Sequence, residues 1–279
     1  MSILNNLTNN INIDPRPDEY IDESDGLLHC RICGKHRQLK FHLGGEEHIV
    51  RTMCKCEEAE RDARQREEEL RELRRHSENL RIAGMQDRKM WEYTFANDKG
   101  YNPKIYMAKN YVDKFEELRG DGRGLLLWGP TGTGKTYFAA CIANALIDKG
   151  ISVYMTNFST VINKLTGAFS EDKNIIIENI NRRSLLIIDD LGIERNSEYA
   201  TEQVYNVIDT RYRSGRPMII TTNIALDDLK NPRDIAHKRI YDRILERCTP
   251  VAISGKNIRE INMAENKKII EKAISKKHD

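Results

Sequence analysis

Five apolar runs punctuate the chain from residue 124 onward: GLLLW at 124–128, ISVYM at 151–155, SLLIID at 184–189, PMIITT at 217–222 and PVAI at 250–253. Each is near-continuous rather than alternating and of strand rather than helix length, the pattern of a strand buried on both faces. Between them, segments such as Tyr137–Lys149 and Glu198–Arg213 are of helical length and pattern. Strand and helix in alternation predict an α/β fold, a parallel sheet with helices on both faces.

The pattern changes ahead of residue 91. Residues 1–28 are polar and acidic, with Pro15 and Pro17, and predict a flexible arm. In residues 29–56 cysteines and histidines concentrate and the charge turns basic. Residues 57–90 begin with a stretch lacking Gly and Pro in which acids and bases alternate at helical spacing, which predicts a charged helical connector. Its apolar stripe, Leu70, Leu73, Leu80 and Ile82, is thin; a connector is the plainer reading and a dimerising helix the sharper one. Residues 91–279 make up the α/β domain.

Composition narrows the function classes. Of the 279 residues 39% are hydrophobic, enough for one full core and a small appendage, and a net charge of +2 gives no global basic field for nucleic acid. No run approaches the roughly 18 apolar residues of a membrane span, and the first residues lack a signal peptide's order, so a cytoplasmic protein without membrane partners is expected. Six cysteines in a reducing compartment read as thiols or metal ligands rather than disulfides.

The chemistry begins in GPTGTGKT. Gly129, Pro130, Thr131, Gly132, Thr133, Gly134, Lys135 and Thr136 fit the phosphate-loop pattern, directly after one predicted strand and opening one predicted helix. Gly132 and Gly134 let backbone amides curl around phosphates, and the helix N-terminus adds its dipole. Lys135 would reach the β and γ phosphates and Thr136 would ligate Mg²⁺. In SLLIIDDLG, Asp189 would hold that metal through its water shell, and Asp190 would orient or deprotonate the attacking water. TTN, residues 221–223, would bring Asn223 beside the γ phosphate. The guanine-reading pattern is incomplete at NKLT, so ATP is the expected nucleotide.

Cys30 and Cys33 form one pair and Cys54 and Cys56 another, suited to tetrahedral Zn²⁺, with His29, His36, His42 or His48 able to replace one thiolate. Cys141 and Cys248 fall on predicted apolar faces and read as packing residues.

Phosphate loop, IIDD, TTN, then RIYDRILERC and GKNIR, led in by YVDKFEELRGDGRGLLLWG, together resemble the DnaC/DnaI group of AAA+ helicase loaders and the related IstB-type transposon helper ATPases. The resemblance implies a P-loop AAA+ ATPase, with Asn223 as first sensor, Arg259 as second sensor, and Arg243 as an arginine finger entering a neighbouring subunit's site in an ATP-bridged oligomer. Arg239 lies near enough to be that finger instead. Asp190 stands where many AAA+ proteins have Glu, and few residues follow Arg259, so no full helical lid is expected. The resemblance further implies that the cysteine module docks on a replicative ring helicase. A loader acting on single-stranded DNA is therefore the first reading. A transposition helper that binds duplex DNA and recruits a transposase is the second, and a metabolic kinase is disfavoured by RIYDR and GKNIR.

Thr156–Phe169 lies where such proteins carry a helix facing DNA. Phe158 would stack on a base and Lys164 would pair with phosphate, unless Phe158, Val161 and Leu165 simply form the buried face of an amphipathic helix. Lys267, Lys268, Lys272, Lys276 and Lys277 form a basic tail that would touch phosphate or only solvate a helix end.

Overall fold

The computed structural model describes residues 14–192 and 197–274, and the chain divides into two units, residues 1–73 and 74–279. The beginning of the predicted arm, residues 1–13, and the tail lysines Lys276 and Lys277 lie outside the described residues.

The first unit is built on two small antiparallel sheets. β1 (Glu19–Ile21) pairs with β2 (Leu28–Cys30), and β3 (Gln38–Leu43) pairs with β4 (Glu46–Arg51) across a Gly44–Gly45 turn. The arm therefore ends earlier than 28. Glu19 is fully buried because its carboxylate meets Arg37 at 3.3 Å and also pairs with Arg51. Buried charge is tolerable only with such partners, and an isolated acidic segment gives no hint of them. After β4 the chain enters α1 (Lys55–Gly84), whose Glu58 N–H donates to the Cys54 carbonyl.

The second unit begins within α1, not at residue 91. Ser77 donates to the Ile147 carbonyl at 3.1 Å, Arg81 donates to Asn144 at 3.0 Å, and Leu80 packs into the core. A side chain at Gly84 would collide with the Val153 carbonyl, and Met85 bridges Met155 beside the sheet. Charge patterning makes this helix look solvated throughout, whereas its last two turns are anchored. Leu70 and Leu73 stay exposed.

The sheet contains β5 (Gly124–Trp128), β6 (Val153–Asn157), β7 (Leu185–Leu191), β8 (Met218–Thr222) and β9 (Cys248–Ala252), all parallel, in the order β6-β7-β8-β5-β9. The expected parallel α/β sheet is thus found. Alternate residues serve opposite cores. Leu127, Leu185, Ile187 and Ile219 pack with Phe138, Ile142 and Leu146 of α4 (Lys135–Asp148) and with Ala108 and Val112 of α2 (Ile105–Asp113). Leu126, Leu186, Ile188 and Ile220 pack with α5 (Phe158–Thr166), α6 (Ser170–Asn181), α7 (Glu198–Arg213) and α9 (Ile235–Arg247). The short helices α3 (Phe115–Gly120) and α8 (Leu226–Lys230) fill connections, and α10 (Ile258–Ile274) follows β9. Cys141 and Cys248 are buried packing residues, as expected.

Arg211 ties the sheet together at its far end from the phosphate loop. It is fully buried on α7 and donates to the carbonyls of Asn181, Arg183, Ser184 and Pro217, fastening the segments that enter β7 and β8. Burial pushes its guanidinium pKa down to about 9, which leaves it charged at neutral pH. Arg211→Met would strand four carbonyl oxygens, and we expect a loss of about 3 kcal/mol in urea unfolding, since a buried group stripped of its partner costs far more than an exposed one.

Candidate functional site

The site lies where β5, β7 and β8 end. Gly129 follows β5, and positive φ at Gly132 (83°) and Gly134 (94°) lets the loop curl before α4 starts at Lys135. Gly132 also admits a second segment. A Cβ there would strike the Asn257 side chain, and the Ile258 N–H donates to the Gly132 carbonyl at 2.9 Å, so the start of α10 closes over the loop.

Lys135 is 5% exposed. Its ammonium donates to the carbonyls of Gly129 and Pro130, each at 2.8 Å, and to the Asn223 side-chain oxygen at 2.6 Å. All three acceptors are neutral. Burial lowers the lysine's pKa, with the charges of Asp190 and Asp189 opposing the shift. A buried cation held by neutral groups gains strongly from an anionic oxygen.

Thr136 and Asp189 meet, the hydroxyl standing 3.0 Å from both carboxylate oxygens. Burial raises the Asp189 pKa, while the hydrogen bond from Thr221 at 2.6 Å lowers it. Hard oxygen donors around a carboxylate whose charge is disfavoured suit Mg²⁺.

Asp190 reaches the same site through a backbone irregularity. In a regular strand Asp189 and Asp190 would point to opposite faces. The register shifts between Ile188 and Leu191, and Asp190 has φ of 57°, so the chain bulges at the two acids. The Asp190 N–H donates to the Thr221 hydroxyl at 2.9 Å, and that hydroxyl donates in turn to Asp189. Thr221 therefore sets both acids, a role no sequence signal assigned; its only trace was a hydroxyl within a buried strand.

Arg259 sits in the first turn of α10, exposed, with its N–H capped by the Asn257 side chain. Its charge depresses the Lys135 pKa, which places it in the field of the loop. Arg243 lies on the face of α9 that meets α7. Its guanidinium pairs with Asp209 at 2.8 Å, donates to the Tyr205 hydroxyl at 3.0 Å and stacks on Tyr205 and Tyr212, which pins α9 to α7. Arg239, one turn earlier, is exposed.

Phe158 is not a base platform. It is 1% exposed and packs with Val161 and Leu165 in the core of α5, because the spacing of these three gives the helix one apolar face. Lys164 is exposed, its ammonium 3.2 Å from the Tyr154 hydroxyl.

In the first unit the sulfurs of Cys30, Cys33, Cys54 and Cys56 all lie within 4.8 Å of one another. Tetrahedral Zn–S bonds of about 2.3 Å put sulfurs roughly 3.8 Å apart, so the four fit Zn²⁺ without a histidine. The Cys33 backbone N–H, with help from Arg37, draws the Cys30 thiol down to about 6, while the neighbouring Cys33 pushes Cys56 up to about 12. His48 stacks on Phe41, and His42 faces Glu47 at 3.8 Å.

Comparison with known proteins follows this geometry. The replicative helicase loader DnaI of Bacillus subtilis is 29% identical over 164 residues, 54% of this chain and 51% of the relative. The replicative helicase loader DnaC of Escherichia coli K12 is 26% identical over 151 residues, 52% of this chain and 58% of the relative. The chain thus spans about half the length of the curated relatives it matches. A crystal structure of DnaI superimposes with a TM-score of 0.51 at 26% identity, covering 62% of this chain and 93% of that one. Domain III of the Thermotoga maritima initiation protein DnaA superimposes at 0.53 with 17% identity, over 67% of this chain and 92% of that one, a likeness of fold. The fold is that of P-loop AAA+ proteins. No helix among the described residues is long and apolar enough to cross a membrane. With the family described as IstB-like ATP binding protein matching residues 49–266, the chain belongs to that family.

Proposed function

We propose that the chain is an ATP-hydrolysing loader that delivers a replicative ring helicase to single-stranded DNA in the cytoplasm. The observation that carries the reading is the assembly of Lys135, Asn223, Thr136, Asp189 and Asp190 at one end of the sheet, in a chain whose relatives are replicative helicase loaders. Lys135 binds the β and γ phosphates of ATP, and Asn223 holds the lysine toward them. Asp190 accepts a proton from, or orients, the attacking water. Mg²⁺, held by Thr136 and Asp189, would neutralise phosphate charge. Arg259 on α10 senses the nucleotide. The arginine finger is Arg239, since Arg243 is spent on holding α9. The transposition-helper reading has less support, because the relatives reported above carry loader names. Retention of the full chain by the replicative helicase of the same genome, and not by a transposase, tests the choice; retention by the transposase alone would reverse it.

Asp190→Asn is expected to keep ATP affinity within a few-fold and to lower turnover at least about 100-fold, the usual range for a lost catalytic base. Equilibrium binding of a fluorescent ATP analogue beside steady-state phosphate release separates the two. If binding falls as far as turnover, the roles of the two acids must be exchanged.

The four cysteines hold one structural Zn²⁺ in this reading, and the module docks on the helicase. Cys33→Ser should release that zinc and abolish helicase retention while ATP affinity stays unchanged, since metal binding and folding are one event in so small a unit. Elemental analysis and calorimetry check it.

A further inference from the structure

Beside the four sulfurs lies a second group of donors. Asp25, His29 and His36 each offer one ligand atom, and these atoms lie within 4.8 Å of one another. The Asp25 Oδ2 oxygen stands 3.0 Å from His29 Nε2 and 3.4 Å from His36 Nδ1. Two Zn–N or Zn–O bonds of about 2.0 Å at the tetrahedral angle span about 3.3 Å, so both separations match a shared cation.

The fold sets these atoms deliberately. The Leu27 N–H donates to Asp25 Oδ1 at 2.9 Å, which fixes the carboxylate and leaves Oδ2 toward the rings. His29 is 7% exposed, and its Nδ1 faces the Gly34 carbonyl at 3.1 Å. A carbonyl only accepts, so Nδ1 carries the hydrogen and a neutral His29 turns the lone pair of Nε2 toward Asp25. Two acceptors face each other at hydrogen-bond distance, and a cation must lie between them or beside them. A proton can fill that role for His29. His36, whose ring lies 4.3 Å from that of His29 across an isolated bridge between the two residues, presents a third ligand atom to the same oxygen.

We propose that Asp25, His29 and His36 form a second metal site, distinct from the four thiolates, that takes a divalent cation of borderline softness such as Zn²⁺. Two imidazoles and one carboxylate are the donor set such an ion prefers over Mg²⁺ or Ca²⁺. The His36 side chain is 58% exposed, so the ion is reached from solvent, and a fourth position remains for water. Access of this kind makes the site exchangeable.

Cobalt titration of the full metal-free chain at about pH 8 reads the two sites separately, because thiolate ligands give an intense near-ultraviolet charge-transfer band and nitrogen or oxygen ligands do not. The first equivalent should develop that band, and the second should add only weak visible bands. Zinc-equilibrated protein should carry two zinc ions per chain. His36→Ala, at an exposed side chain, and Asp25→Asn should each carry one and keep the charge-transfer band. A wild-type titration that ends at one equivalent with the band fully developed overturns the second site while leaving the thiolate site intact. Two zinc ions retained by both variants also overturns it.

Discussion

Lys135→Ala will fold as the wild type does and bind ATP at least about 100-fold more weakly, a loss of about 2.7 kcal/mol. The side chain belongs to neither apolar core, so its removal exposes no packed surface. Its three hydrogen bonds go to Gly129, Pro130 and Asn223, none of them charged. Without nucleotide these neutral acceptors only offset the cost of burying an ammonium. With ATP the same ammonium gains charged oxygens, and each charge-assisted hydrogen bond contributes about 1.5–3 kcal/mol. The mutant loses that gain, and no other cation lies inside the loop. Calorimetric titration measures the affinity and a thermal melt checks the fold. An affinity within threefold of wild type in a protein with an unchanged melt would remove the phosphate site from Gly129–Thr136.

The strands of the α/β unit were legible because a strand buried on both faces leaves a continuous apolar run, and all five runs lie in the sheet within a few residues of their expected limits. The phosphate loop was legible because its glycines are required by backbone shape, whatever surrounds them. The bulge at Asp189 and Asp190 was not, since SLLIIDDLG reads the same whether the acids alternate or converge; the Thr221 hydroxyl, a partner on another strand, decides it. Long-range partners likewise hid β1. Glu19 and Asp18 read as solvated acids until Arg37, eighteen residues beyond Glu19, is folded onto them. At Phe158 two readings stood open, a base platform from likeness and a core position from its spacing with Val161 and Leu165, and burial decides for the spacing. Between Arg239 and Arg243 helical spacing alone could not tell which turns toward α7; Asp209 and two tyrosines there hold Arg243.

That selection changes which arginine should act between subunits. Arg239→Ala is expected to bind ATP as the wild type does and to lose about 1,000-fold in hydrolysis, the lower range for an absent arginine finger. The side chain is exposed, so the substitution should leave stability unchanged. Arg243→Ala should behave differently, because Asp209 keeps its charge with one partner fewer and α9 loosens from α7: its melt should fall, along with activity. Mixing then separates a finger from a prop. A Lys135→Ala chain cannot use ATP but carries an intact Arg239, so it can complete the site of an Arg239→Ala chain beside it. Random assembly of equal parts pairs them correctly at about one site in four, and activity should return to that order. The Arg243→Ala chain should recover less, since its defect travels with its own helix. Hydrolysis per wild-type chain should rise with protein concentration. If mixing restores nothing to Arg239→Ala while that rise persists, the finger is another residue; if there is no rise either, each chain hydrolyses ATP alone.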